Sequence, residues 1–103
     1  MDIQVSPRRE GTISVSDAVV AAHRVIEESG LRHVLHPMGT CIEGDYDQLY
    51  SLASRIHEAL VELGYPRIGI SIKIDDRRDK KHSMLDKVKV VESRLSATDT
   101  AGD

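Results

Sequence analysis

This sequence predicts an α+β fold of the ferredoxin-like kind. The order is β-α-β-β-α-β with a four-stranded antiparallel sheet and an extra C-terminal helix. Three observations carry it. Isoleucine falls on every second position at Ile68, Ile70, Ile72 and Ile74, the alternation of a strand with one buried face. Two long segments carry apolar residues at helical spacing, each opening on a capping sequence and closing on glycine. Between and around them lie short runs of strand formers, so that two strand-helix-strand units follow one another.

Residues 2–6 form the first strand, with Ile3 and Val5 on one face and Asp2, Gln4 and Ser6 on the other. Residues 7–12 are read as a loop, broken by Pro7 and Gly11. Ser14 and Asp17 have capping-box spacing for a helix whose apolar stripe is Val15, Val19, Ala22 and Ile26, and Gly30 stands where a left-handed C-cap residue belongs. Residues 33–44 read as two short strands about a tight turn at Met38 and Gly39, the second strand being residues 40–43. Asp45 and Gln48 cap a long helix with Leu49, Leu52, Ile56, Leu60 and Leu63 on one face, ended by Gly64. The isoleucine strand, residues 68–75, follows. A last helix, capped by Ser83 with Asp86, carries Met84, Val88, Val91 and Leu95 along one stripe. Residues 1–95 make one domain, and the polar stretch 96–103 is expected to be a disordered tail. Two helices then cover one sheet face. Gln4, Ser6, Gly69, Ser71 and Lys73 lie on the uncovered one.

Length and composition exclude several functions. At 103 residues the chain has room for one modest core, which must be aliphatic because there is no Phe or Trp and only three Tyr. A net charge of −3 argues against a nucleic-acid partner. No apolar run reaches membrane-span length, and the first residues lack the apolar stretch of a secretion signal. A single cysteine, Cys41, excludes an internal disulfide and suits a reducing compartment, so a cytoplasmic protein is expected. The short chain and open sheet face suggest self-association.

No pair of residues announces catalysis. Cys41 reads as a structural thiol, lacking an evident base. Metal binding is not expected: His33 and His36 lie near Cys41 without ligand spacing, while His23 and His57 read as surface residues of helices. Neither a cofactor nor an enzyme activity is anticipated. The knot Asp75-Asp76-Arg77-Arg78-Asp79-Lys80-Lys81 admits two readings: a solvated turn with local ion pairs, or an anion site at Arg77, Arg78 and the helix start at Ser83.

Two stretches go further. PMGTCIEGD (residues 37–45) and IKIDDRRDKKHSMLDKV (residues 72–88), with ESGLRHVLHPMGT upstream, resemble the signatures of the YkoF-like thiamine-binding family over about residues 14–95. The resemblance implies a ferredoxin-like fold, pairing into homodimers and homotetramers, and binding of thiamine or its hydroxymethylpyrimidine part without catalysis. The expected site lies on the open sheet face. Ser6, Thr40 and Ser71 would supply hydroxyls and Gly69 room. His36, Met38 and Gly39 would sit at the adjoining turn, and Glu43 or Asp75 would face the thiazolium cation. Tyr46, Tyr50 and Tyr65 are the available aromatic rings. The alternative is an oligomeric regulatory or scaffold module binding an anion near Arg77 and Arg78.

Overall fold

The computed structural model describes residues 1–9, 16–76, 78 and 84–101, with side chains as far as Ser96. Its elements are β1 (Asp2–Arg8), α1 (Ser16–Ser29), β2 (His33–His36), β3 (Gly39–Ile42), α2 (Tyr46–Glu62), β4 (Arg67–Lys73) and α3 (Met84–Ala101). The strands form one antiparallel sheet in the order β2-β3-β1-β4. The ferredoxin-like order with an added helix is therefore the one observed.

Register decides which side chains meet the helices. Ile3 lies opposite Thr40 on one side and Ile72 on the other; Val5 faces Ile70, and Pro7 faces Ile68. These residues share the face covered by α1 and α2. Gln4 lies opposite Ser71 and Ser6 opposite Gly69 on the uncovered face, as the alternation predicts. β4 is an edge strand, which leaves Ile72 44% exposed although it points to the helix side. The core is Ile3, Ala18, Ala22, Ile26, Ile42, Leu49, Leu52, Ile56, Leu60 and Tyr65.

Several boundaries differ from the sequence reading. β1 runs through Pro7 to Arg8 instead of ending at Ser6. Beyond Ile3 it has a strand neighbour on one side only, where a missing proline N–H costs least. β4 stops at Lys73, not Asp75, because its ladder with β1 ends where Lys73 pairs with Asp2, the first residue of β1. The hairpin turn is Pro37-Met38, and Gly39 already belongs to β3. In α1 the buried stripe is Ala18, Ala22 and Ile26; Val19 is 44% exposed. Small alanines bring the helix backbone close to the sheet, where valine would hold it off. Gly30 and Gly64 close α1 and α2 with positive φ, and Gln48 accepts the Asp45 N–H at 2.9 Å, as the capping pattern predicts. The caps assigned to Ser14 and Ser83, with Val15 and Arg77, lie outside the described residues.

α3 departs most. It continues to Ala101, past the point where a disordered tail is expected from Ser96. Extending a helix already nucleated fixes one residue per new hydrogen bond, a far smaller cost than starting one. Its predicted stripe is uncovered: Val88, Val91 and Leu95 are all at least half exposed. The radius of gyration is 16.9 Å, against about 13 Å for a compact chain of ~100 residues, because α3 adds length without adding core.

A polar knot ties the start of α1 to the entry of β4. The Tyr65 hydroxyl donates to Asp17, the Arg9 guanidinium lies 4.5 Å over the Tyr65 ring, and Arg9 Nη2 reaches Asp17 at 3.4 Å. The Tyr65 bond is the largest influence holding the Asp17 carboxyl below its ordinary value of 3.8, against partial desolvation that raises it. A depressed folded value means the contribution is complete above the unfolded carboxylate range and disappears as pH falls through the folded value. Tyr65→Phe is therefore expected to lose stability at neutral pH and to show a flatter loss between neutrality and about pH 3 than the parent. Urea midpoints measured across that range decide it: parallel curves would mean the bond carries no linkage.

A second expectation concerns Gly39. Its φ is +154°, and an added Cβ would lie 2.5 Å from the Ile3 carbonyl oxygen. At Gly30, with φ +73°, the added Cβ would meet nothing. Gly30→Ala should cost about 1–2 kcal/mol from backbone strain alone. Gly39→Ala should cost clearly more, because the β1–β3 pairing must also open. Denaturant unfolding of the two variants checks the ranking.

Candidate functional site

A cleft opens on the helix side of the sheet, where the β2–β3 hairpin meets α1. Val19, Ala22, His23 and Ile26 of α1 form one wall. The hairpin from Leu35 to Thr40 forms the other, and Ile3, Val5 and Ile56 contribute below. It encloses about 590 Å³ of empty space, counting the solvent at its mouth. The cavity proper is about 150 Å³, smaller than the about 300–1,000 Å³ usual for drug-sized ligands, so it has room for a single small ring only. Most of the lining is aliphatic. Thr40, 5% exposed, is the one buried polar residue among those described, and it lines this cleft. Met38 projects at the mouth, 65% exposed.

Thr40 reaches the cleft because of its register. It pairs with Ile3 and Leu35, both on the helix side. The shared floor expected from the sequence is thereby corrected: Ser6 and Ser71 lie on the opposite face of the sheet from Thr40. A site at one face cannot use all three hydroxyls of one chain. Gly39 and Met38 do flank Thr40 at the turn.

His36 borders the cleft at the hairpin, but its imidazole is bound to Asp2, whose register puts it on the open face. Its Nε2 donates to Asp2 Oδ1 at 2.8 Å, and the Met38 N–H points to its Nδ1 at 3.3 Å. That bond is the main reason the Asp2 carboxyl lies below its usual range. The Cys41 thiol donates to the same oxygen at 3.5 Å. Burial, then this bond, pushes Cys41 up, so the thiol stays protonated at neutral pH and is a poor nucleophile.

Glu43 and Asp75 hold α3 in place. Glu43 Oε1 accepts the Met84 N–H at 3.1 Å, and Lys87 Nζ lies 2.5 Å from Asp75 Oδ2. Arg78 Nε is paired with Asp76 at 3.0 Å, which occupies one donor of the proposed anion site. None of the tyrosines lines the cleft: Tyr46 and Tyr50 stack edge to face on α2, and Tyr65 is in the knot with Asp17.

The sequence reading of His23 as a surface residue is corrected: the residue is half-buried. It is a cleft residue, its ring meets that of His33 edge to face at 5.3 Å, and its Nε2 lies 3.3 Å from Glu27. The one sequence signal is that His23 follows Ala22 and precedes Glu27 by a helical turn. The approach of His33 from β2 is purely tertiary.

Comparison with known proteins gives consistent results. Residues 1–92 match the family model described as thiamine-binding protein. The UPF0045 protein ECM15 of Eremothecium gossypii is 42% identical over 96 residues, covering 93% of this chain and 91% of that protein. The UPF0045 protein YqgV of Bacillus subtilis is 36% identical over 98 residues, covering 91% and 94%. Among solved structures, protein MJ1052 of Methanocaldococcus jannaschii superposes with a TM-score of 0.80 at 30% identity, over 88% of this chain and 92% of that one. A Thermotoga maritima protein named for a proposed role in thiamine biosynthesis or salvage has a TM-score of 0.76 at 19% identity, over 87% and 94%, a likeness of fold.

Proposed function

The chain belongs to the thiamine-binding protein family, and from that premise we propose that it binds thiamine, or its hydroxymethylpyrimidine half, without transforming it. The observation that carries the placement is the aliphatic cleft with a single buried hydroxyl, that of Thr40. A flat pyrimidine suits such a slot. Val19, Ala22 and Leu35 supply the apolar contact, and Thr40 pairs with a ring nitrogen or the exocyclic amine. Met38 and Gly39 border the ring at the hairpin turn. The ring lies here, not on the open face, because Thr40 and the apolar walls occur together only on this side.

We further propose a cytoplasmic homo-oligomer, a dimer or tetramer. The uncovered stripe of α3 and the open sheet face both support association, and no described helix is long and apolar enough to cross a membrane. A second copy covers Val88, Val91 and Leu95. Light scattering at micromolar concentration is expected to return a multiple of the chain mass. Val91→Glu combined with Leu95→Glu should lower it. A monomer in the unmodified protein would remove this part of the proposal.

Calorimetry tests the ligand. Thr40→Val keeps the shape but leaves a ligand polar group unpaired, a loss of about 1–3 kcal/mol. Affinity for thiamine or hydroxymethylpyrimidine is expected to fall roughly tenfold or more. Ser71→Ala, on the other face, should leave it unchanged. The reverse pattern would move the ligand to the open face. No binding by the unmodified chain would refute the ligand and leave the fold assignment standing.

A further inference from the structure

We propose that His23, Glu27 and His33 hold a divalent transition-metal ion of the zinc class beside the cleft. One ligand atom from each lies within 4.8 Å of the other two. Around a zinc ion such atoms stand about 3.4 Å apart, so side-chain rotation alone would close the site. The three come from two anchored elements: His23 and Glu27 sit one turn apart on α1, and His33 is on β2. Two imidazoles and one carboxylate form a donor set that suits zinc, cobalt or nickel and is poorly suited to magnesium or calcium.

Hydrogen bonding at the rings sharpens the case. His33 Nδ1 lies 2.8 Å from the Leu31 carbonyl oxygen, which can only accept. In the neutral ring the proton is therefore on Nδ1, and Nε2 keeps its lone pair, the arrangement common in metal-ligating histidines. His23 Nδ1 is buried with no hydrogen-bond partner. Burial without a partner is costly, and Nε2, already 3.3 Å from Glu27, is the nitrogen the ring presents to the site. Asp2, His36 and Cys41 also lie within 4.8 Å of one another, but their bonding runs the other way. The Met38 N–H can only donate to His36 Nδ1, so the proton sits on Nε2 and is given to Asp2. A metal there would have to displace a satisfied bond.

The test uses the full chain, without a polyhistidine tag and without thiamine. Zinc(II) calorimetry and cobalt(II) absorbance are expected to show one ion per chain, with visible bands of a nitrogen and oxygen site. His33→Ala and His23→Gln should each weaken binding at least tenfold while still melting cooperatively. Zinc should raise the melting temperature of the parent more than that of either variant. No saturable zinc or cobalt binding by the parent would overturn the proposal. So would undiminished binding by a cooperatively melting His33→Ala. A sulfur-to-cobalt charge-transfer band abolished by Cys41→Ser would also overturn it, placing the metal with Asp2 and His36.

Discussion

At Gly39 the backbone of β3 passes so close to β1 that even a methyl group would lie 2.5 Å from the Ile3 carbonyl oxygen. Much of the architecture hangs on that approach. It allows Thr40 to pair with Ile3, which turns the Thr40 hydroxyl toward the helices. It sets the position of β2, which is joined to the sheet only through β3. It therefore also sets the far wall of the cleft and brings His33 up to α1. A side chain at position 39 would displace these together.

The rest of the core adapts to this crossing with small and aliphatic parts. Ala18 and Ala22 let α1 settle close to the strands, while Leu52, Ile56 and Leu60 of α2 fill the space behind. With no Phe or Trp available, shape is matched by branching and not by rings. The one deeply placed aromatic, Tyr65, earns its position through its hydroxyl, which reaches Asp17.

The sequence showed some of this plainly and some not at all. The glycines after α1 and α2 and the Asp45–Gln48 cap are local signals, each read from a few neighbouring residues, and each stands as expected, while of the four alternating isoleucines Ile68, Ile70 and Ile72 lie in β4 and Ile74 falls beyond its end. The face of Thr40 is not local. Side chains alternate strictly along a strand, so everything depends on which residue of β1 it meets, and that pairing is fixed by contacts distant in the chain. Val19 and Ala18 are adjacent on one helix, and a four-residue spacing fits either; the tighter packing of alanine decided between them. His23 and His33 are individually unremarkable, and only the packing of α1 on β2 makes them a pair.

The alternation along β1 has one more consequence. Odd positions, Ile3 and Val5, belong to the helix side; even positions, Gln4 and Ser6, belong to the uncovered side, although Gln4 also borders the cleft. Substitutions at Ser6 and Ser71, which do not line the cleft, can therefore drift without disturbing it. Within one short polypeptide, two surfaces are free to diverge at separate rates, partitioned by a single layer of backbone.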